Sequence, residues 1–370
     1  MVSMRPFVFT PIRFYSGSAE KPSIKLVAEL RKVTEVSITK AREALAASNN
    51  DVSAALQWLQ NDLTVSGAKK AAKVAHRSAC EGLVSAAVLS RGTGSSLSSS
   101  SSLSSYNPHG HGHDGVRAAL VELNCETDFV ARNDLFGRLV ADVAHTAAFL
   151  TEPSDSSTPH QTHIRPVPRE QLLDAPLLSA TGERPKGSGS AGLGTVGSAI
   201  RDTIAKLGEN VVLKRAVSVV HDPVPRTRRD LGLRIASYAH GGVVLPTLPP
   251  STSQGRIGTL ALFALKSPRL TPLLITLDFR EELERIERAL ARQIVGFDTT
   301  AIRGEGGEGA LYDQPFMMFG GALEEETVGV GLARWARKKQ LILDTDGTDT
   351  GGLEVVEFVK WTVGETSDPA

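Results

Sequence analysis

Hydrophobic positions divide the chain into helical and extended stretches that are separated by polar segments. Two stretches repeat at helical spacing, and each predicts an amphipathic helix packed on a sheet. Their apolar positions are Phe136, Leu139, Val140 and Val143 in the first, and Leu283, Ile286, Leu290 and Ile294 in the second. Runs rich in Val, Leu, Ile and Ala predict strands at 82–89, 118–123, 231–238, 256–265 and 353–363. The pattern therefore predicts an α+β fold with antiparallel sheets packed on helices.

Residues 24–63 show three shorter apolar stripes, which predict a compact unit of three helices. The stripes are Leu26, Leu30 and Val33, then Ala41, Ala44 and Leu45, then Val52, Ala55, Leu56 and Leu59. Asp51 is the expected N-cap of the third helix. Asn49 and Asn50 suit a left-handed connection before it, since Asn tolerates that conformation best after Gly.

Two segments are too poor in apolar residues to pack. Residues 91–115 are rich in Ser and Gly, residues 151–196 in Pro, Ser and Gly, and both are predicted to be disordered insertions. The first lies between two predicted strands, so it is interpreted as an expanded hairpin loop. Its histidines alternate with Gly and lack a Cys or carboxylate on a rigid element, so no metal site is predicted. They are His109, His111 and His113.

Residues 1–19 contain Arg5 and Arg13, several Ser, Thr and apolar residues, and no acidic residue. This composition is typical of a mitochondrial transit peptide, and the alternative is a disordered cytosolic tail. Arg-Phe-Tyr-Ser at 13–16 resembles a matrix-protease processing site that is cut after Tyr15. We therefore exclude this segment from the fold and expect the protein in the mitochondrial matrix.

Composition argues against several classes of function. Lys+Arg and Asp+Glu are both 41, so net charge gives no reason to expect nucleic acid or an anionic membrane as a partner. No apolar run approaches the ~20 residues of a membrane span. The two cysteines, Cys80 and Cys125, are too few for a disulfide framework. The sequence has no phosphate loop, zinc spacing or nucleophile elbow, so we expect no cofactor, no metal and no enzymatic activity.

The connection between the strand at 118–123 and the following helix carries Thr-Asp-Phe at 127–129. Asn133 or Asp134 is expected to cap that helix. A carboxylate beside a large exposed aromatic is the usual composition of an interface anchor. The alternative is that Phe129 folds back into the core, and these residues alone leave both interpretations open.

Asn-Cys-Glu-Thr-Asp-Phe-Val at 124–130 resembles the signature of translation elongation factor Ts, the nucleotide exchange factor of elongation factor Tu. Shorter family-like pieces follow in the same order as in that family, so the resemblance runs from about residue 24 to residue 365. These pieces are Gly-Glu-Asn at 208–210, Ser-Tyr-Ala-His at 237–240, Arg-Ile-Gly at 256–258, Gln-Pro-Phe at 314–316 and Gly-Glu at 364–365.

Three positions depart from the family pattern. The turn at 34–37 lacks the family's glycines, and Gln293 stands where relatives often have a histidine. A short Gly-rich piece at 302–310 stands where bacterial members have a helical hairpin.

His240 has no nucleophile or acid at a catalytic spacing, so a catalytic role is not predicted for it.

The resemblance implies a domain order as well as a fold. Residues 20–65 would form a UBA-like three-helix bundle, and the remainder would form a core of two α/β subdomains at 66–222 and 223–370. Each subdomain would have an antiparallel sheet packed on helices.

The resemblance also implies a function and a site. Thr127, Asp128, Phe129 and Val130 would contact mitochondrial elongation factor Tu and promote release of GDP and reloading with GTP. Phe129 would enter an apolar pocket of the GTPase domain with Asp128 beside it, so that the contacts to Mg²⁺ and the β-phosphate weaken. The chain itself would bind no nucleotide, no nucleic acid and no membrane.

Two alternatives belong to other functional classes. One is a UBA-type adaptor, ubiquitin binder or scaffold without exchange activity, which would have no use for an exposed Asp128–Phe129 pair. The other is an RNA-binding ribosomal accessory, which would need a basic stripe or stacking aromatics. The balanced charge of the chain argues against this second alternative.

Overall fold

The computed structural model describes residues 22–34, 36–95, 115–153, 162–182, 194–225, 227–242, 245–304, 309–319, 326–342 and 351–365. The predicted transit peptide and the three alternating histidines lie outside these ranges. No helix within them is both long enough and apolar enough to cross a membrane. The described residues fall into two compact units, one ending at Leu63 and the other beginning at Thr64.

The first unit contains three helices, which the sequence pattern predicts. They are α1 (Ile24–Thr34), α2 (Ile38–Ala47) and the part of α3 (Val52–Val74) up to Leu63. Asp51 caps α3 by accepting a hydrogen bond from the Ser53 amide at 2.8 Å. Asn49 and Asn50 have φ of 49° and 64°, the left-handed conformation that their sequence position predicts. The expected stripe in α1 is partly wrong, because Val27 is buried in the core while Val33 is exposed.

The third helix is longer than its apolar stripe predicts. It continues to Val74 and so takes in most of the basic, Ala-rich residues 69–77. Ala and Lys have high helix propensity, which favours continuation of the helix. Gly67 lies in the part of this helix that belongs to the second unit, and there it faces the α7 helix (Val196–Leu207), where an added Cβ would lie 3.6 Å from Ala205.

The second unit has two antiparallel sheets. The first sheet has the order β3-β4-β2-β1-β6, and its strands are β1 (Glu81–Arg91), β2 (Val116–Cys125), β3 (Arg165–Pro166), β4 (Val212–His221) and β6 (Thr252–Gly255). The second has the order β5-β7-β8, with β5 (Leu231–His240), β7 (Ile257–Lys266) and β8 (Gly352–Thr362). β6 lies beyond residue 222 yet pairs with β1, so the first sheet is not built from one continuous half of the chain.

Helices cover the outer faces of the two sheets. Besides α7 they are α4 (Asp128–Ala131), α5 (Asp134–Leu150), α6 (Arg169–Asp174), α8 (Leu270–Ile275), α9 (Leu277–Gly296) and α10 (Val328–Lys338). In β1, Leu83 and Ala87 face the helix side, whereas Val84 and Ala86 belong to an apolar cluster that also contains Leu260 of the second sheet. Burial on both faces explains why the strands are almost continuously apolar in sequence.

The predicted disordered insertions are both too long. Thr93 is fully buried, its amide donates to the Leu233 carbonyl at 2.9 Å, and Gly92 forms a bridge with Arg234. The first insertion therefore begins after the residues that close β1, and residues 96–114 lie outside the described ranges. The prediction is also wrong for residues 162–182, because they form β3 and α6 and Leu172 enters the core. Besides Leu172, the apolar residues Val167, Leu173 and Leu177 pack against the same core cluster.

Candidate functional site

The connection between β2 and α5 forms a short helical turn rather than a loop. Thr127 is the N-cap of α4, and its hydroxyl oxygen accepts a hydrogen bond from the Val130 amide at 3.4 Å. Asn133 caps α5 by accepting from the Leu135 amide at 2.8 Å, which settles the choice between Asn133 and Asp134. Two caps within seven residues fix where each helix begins. We call residues 126–132 the tip.

Phe129 is 82% exposed, the highest value among the large exposed hydrophobic side chains that the structure describes. The alternative that it folds back into the core is therefore wrong. Its neighbours Val130 and Ala131 are buried at 8% and 6%, in the same apolar cluster as Cys125. The two buried residues fasten the turn to the core, and they leave the aromatic ring facing solvent.

Asp128 also remains accessible at the tip. Its carboxylate forms an ion pair with Arg132 at 3.4 Å, and the side chains are 47% and 71% exposed. An exposed pair of this kind contributes about 0–1 kcal/mol to stability, so little free energy opposes its exchange for another partner. The hydrogen bond to Glu81 raises the pKa of the Arg256 guanidinium, and the charge of Asp128 adds a smaller contribution.

The tip is held from below by the segment that follows α7. The Thr127 amide and hydroxyl donate to the two carboxylate oxygens of Glu209, at 3.0 and 2.6 Å. In the opposite direction, the Asn210 amide donates to the Glu126 carboxylate at 2.7 Å. We call these reciprocal hydrogen bonds among Glu126, Thr127, Glu209 and Asn210 the crossed contact. It joins residues 124–130 to residues 208–210. In the sequence, the only link between these two segments is that each resembles a piece of the same family.

Cys125 closes the buried side of the tip. Its thiol donates to the Thr127 carbonyl at 3.2 Å. Burial raises the pKa of this thiol to about 12, and the neighbouring Glu209 and Glu81 carboxylates add to the effect. The thiol therefore stays protonated at neutral pH and acts as a hydrogen-bond donor rather than as a nucleophile.

A buried ion pair involves Glu122, three residues before the end of β2. Glu122 is fully buried and accepts a hydrogen bond from Arg215 of β4 at 2.6 Å and from the Gly364 amide at 3.0 Å. The Arg215 guanidinium also stacks on Trp361 of β8, 4.5 Å from the ring centroid. This cluster ties the strand that leads to the tip to the end of the second sheet. A lone carboxylate in the apolar run 118–123 was the sequence signal for it.

The other candidate positions have different environments. His240 lies exposed at the end of β5. Gln293 is fully buried on α9, where its amide donates to the Pro315 carbonyl at 3.0 Å and to Gln314 at 3.3 Å. Gln293 therefore links the Gln-Pro-Phe segment to α9. In the part of the chain that the structure describes, no three His, Cys, Asp or Glu side chains group as a metal site.

Comparison with known proteins identifies the family. No family model matches the chain. The mitochondrial elongation factor Ts of Laccaria bicolor is 49% identical over 364 residues, which cover 98% of each chain. Its counterpart in Coprinopsis cinerea is 51% identical over 354 residues, covering 96% of this chain and 95% of the relative. The chain belongs to the elongation factor Ts family, mitochondrial type. A Postia placenta member is 45% identical over 360 residues.

Three of the family-like pieces of this elongation factor Ts sequence lie at or beside the tip although they are far apart along the chain. Residues 208–210 contact residues 124–130 through the crossed contact. Gly364 reaches the same strand through Glu122. Arg256 contacts Glu81, whose strand position is opposite Cys125. In this family member, three separate segments thus contact either the tip or the strands beside it.

Proposed function

We propose that this protein is the guanine nucleotide exchange factor of mitochondrial elongation factor Tu. It promotes release of GDP and allows reloading with GTP during translation elongation. The observation that carries the proposal is Phe129, a large aromatic that is 82% exposed on a turn held by buried neighbours. Burial of an exposed aromatic in a partner's pocket is a common source of binding free energy.

The proposed contact residues are Thr127, Asp128, Phe129 and Val130, with different roles. Phe129 enters an apolar pocket of the GTPase domain, and Asp128 lies beside it at the partner surface. Thr127 and Val130 set the turn, since the first caps α4 and the second is buried in the core. The ring acts as a wedge that shifts the partner's groups around Mg²⁺ and the β-phosphate.

In thermodynamic terms the mechanism is negative coupling between two ligands of the GTPase. The exchange factor weakens GDP binding, and GDP weakens binding of the exchange factor by the same factor. Each ~1.4 kcal/mol of coupling changes affinity tenfold. No covalent bond is made or broken, so the protein is not an enzyme, and the nucleotide is bound by the partner rather than by this chain.

We further propose that α1, α2 and the start of α3 form a UBA-like module within residues 20–65, followed by the core subdomains at 66–222 and 223–370. The protein acts in mitochondria, and we propose the matrix as its compartment, with residues 1–19 as the transit peptide. N-terminal sequencing of the endogenous protein tests the last point. Import predicts a start after about 15–20 residues, and an intact Met1 or Val2 would contradict it.

The direct test of the function is release of fluorescent GDP from mitochondrial elongation factor Tu, with and without this chain. Exchange activity predicts that release becomes faster in proportion to the chain's concentration until it saturates. An adaptor or scaffold would bind without changing the rate of release. Release that is unchanged at every concentration would exclude the proposed function.

A further inference from the structure

Glu209 is partly buried, and its carboxylate accepts two hydrogen bonds from Thr127, the first residue of the turn that carries Phe129. We propose that Glu209 is a positioning residue for nucleotide exchange, which acts through Thr127 on the turn that carries Phe129. The inference rests on the proposed function, because it assigns a role within that reaction. The role assigned to Glu209 is to orient Thr127, not to contact the partner or the nucleotide.

The tip needs external support because its own structure is small. α4 has four residues, whereas isolated helices shorter than ~12–15 residues are marginal in water. Phe129 is 82% exposed, so packing of the ring does not fix the turn. Val130 and Ala131 fasten one side, and the first residue of the turn must be fixed by hydrogen bonds.

The Glu209 carboxylate supplies those hydrogen bonds in a way that orients the cap. A hydroxyl has one proton, and the Thr127 hydroxyl donates it to Glu209 at 2.6 Å. A lone pair of the same oxygen is then left for the Val130 amide, 3.4 Å away. The second carboxylate oxygen accepts from the Thr127 amide at 3.0 Å. Glu209 thus fixes both the backbone and the side chain of the capping residue.

Glu209 is itself held in position by its neighbours. Gly208 ends α7 with φ of 80°, a left-handed conformation that suits glycine, so the chain turns toward the tip at this residue. Asn210 donates two hydrogen bonds, one from its backbone amide to the Glu126 carboxylate at 2.7 Å and one from its side-chain Nδ2 to the Arg77 carbonyl at 2.8 Å. The Glu209 carboxylate therefore has a fixed position just after the C-terminal end of α7.

Loss of this support has a kinetic consequence that differs from loss of the ring. If the turn holds its binding geometry for only a fraction of the time, the apparent dissociation constant rises by the inverse of that fraction. The ring is still present, so the rate of GDP release at saturating exchange factor is retained. Removal of the ring itself lowers the saturated rate.

Glu209→Gln tests the proposal, because the Gln side chain has one accepting oxygen where the carboxylate has two, so only one of the two Thr127 donors keeps its acceptor atom, and the charge that strengthens both hydrogen bonds is lost. We expect the half-saturating concentration for stimulated GDP release to rise about tenfold, which corresponds to a competent fraction of about one tenth. The saturated rate should stay within about twofold of the parent. Glu170→Gln, the same change at an exposed position of α6, is the matched control and should change neither quantity.

Thr127→Val removes the hydroxyl that donates to Glu209. This second variant tests the same contact if the Glu209→Gln protein proves too unstable to measure. The proposal predicts the same rise in half-saturating concentration, and no further rise when both changes are combined. It also predicts that Glu209→Gln has little effect on the residual rate of a Phe129→Ala protein.

The outcomes separate this proposal from the proposed function. If the parent accelerates GDP release, and if folded Glu209→Gln and Thr127→Val proteins match the parent's half-saturating concentration, Glu209 has no positioning role. A fall in saturated rate without a change in half-saturating concentration would also overturn it. If the parent does not accelerate GDP release, the proposed function itself fails.

Discussion

Arg234 of β5 and Glu287 of α9 form an ion pair in which both side chains are buried, each only 2% exposed. The guanidinium donates through two nitrogens to the two carboxylate oxygens, and it also donates to the Thr93 carbonyl. One side chain thus joins the second sheet, the helix that covers it and the residues that follow β1. The intact pair need not stabilise the fold by itself, but removal of one partner leaves an uncompensated charge in the interior.

Removal of one partner should therefore be costly. We expect Glu287→Ala to lower the free energy of unfolding by about 3–5 kcal/mol, because it leaves the Arg234 charge buried without its counter-ion. Denaturant unfolding of the full chain measures this. Glu281→Ala, at an exposed position of the same helix, is the control and should change stability by less than about 0.5 kcal/mol. Equal stability of the two variants would contradict the expectation.

The buried Thr93 changes where the long hairpin connection can be shortened. Replacement of residues 96–114 by a short Gly-containing turn should lower the melting temperature by less than about 3 °C, roughly 1 kcal/mol in a domain of this size. Composition is the reason, since Ser and Gly do not offset the entropy of ordering. A larger fall would mean that these residues contribute to the fold.

Extension of the deletion to residues 92–114 should have a much larger effect. It removes the Thr93 carbonyl that accepts from Arg234, and a buried donor without an acceptor costs about 1–3 kcal/mol or more when charged. Melting curves of the two deletion variants, recorded together, make the comparison. If both variants melt alike, the described contacts of Gly92 and Thr93 are not important for stability.

The sequence was sufficient for most elements whose hydrophobic period matches their environment. The stripe Leu283, Ile286, Leu290 and Ile294 predicted α9, and all four side chains are fully buried. Glu287 falls within that stripe, one position after Ile286, so its burial was also readable from the spacing. β6 has the polar sequence Thr-Ser-Gln-Gly and gave no strand signal. Its pairing with β1 depends on tertiary contacts that no local pattern contains.

The candidate site divides in the same way. The sequence drew attention to Asp128 and Phe129 as an acid beside an aromatic where a strand ends, but these residues alone left open whether Phe129 is exposed, and the cap at Thr127 was not predicted. The contact between Thr127 and Glu209 was not readable, since the two residues are 82 positions apart and meet only after β2 pairs with β4. A sequence shows which residues are unusual more readily than it shows which of them touch.

Stability should depend on pH through His221. Its ring nitrogen lies 3.1 Å from that of His163, and burial, with further contributions from His163 and Arg165, lowers the pKa of His221 to about 4. The unfolded chain therefore binds more protons than the folded chain between about pH 4 and 6.5. Stability is fully present above that window and is lost as the pH falls through it.

The variant His221→Gln should therefore lose less stability than the parent between pH 7 and pH 4.5. Burial also raises the pKa of Asp142 to about 6, which gives an opposite slope, but this group is present in both proteins and cancels in the difference. His76→Gln, at an exposed position, is the control and should follow the parent. Parallel curves for His221→Gln and the parent would contradict the assignment.

Asp128 should contribute to exchange less than Phe129 does. Asp128→Asn keeps the size of the side chain and removes the charge that pairs with Arg132. We expect slower GDP release from mitochondrial elongation factor Tu with an unchanged melting temperature, because the pair is exposed and contributes little to stability. An Asp128→Asn protein with the parental rate would remove the carboxylate from the proposed contact.

The central claim is that Phe129 acts on the partner and not in the fold. Truncation of a buried Phe costs about 3–5 kcal/mol, whereas truncation of an exposed one costs little. The decisive measurement is the rate of fluorescent GDP release from mitochondrial elongation factor Tu at saturating exchange factor, with a melting curve for each protein. The matched control is Phe149→Ala, which removes a second Phe that is 59% exposed at the end of α5.

We predict that Phe129→Ala melts with the parent and slows the saturated rate of GDP release by about an order of magnitude or more, which corresponds to at least ~1.4 kcal/mol in the barrier to release. Phe149→Ala should release GDP at the parental rate. A Phe129→Ala protein that is folded and exchanges as fast as the parent would contradict the account, and the wedge would then have to be assigned to other residues.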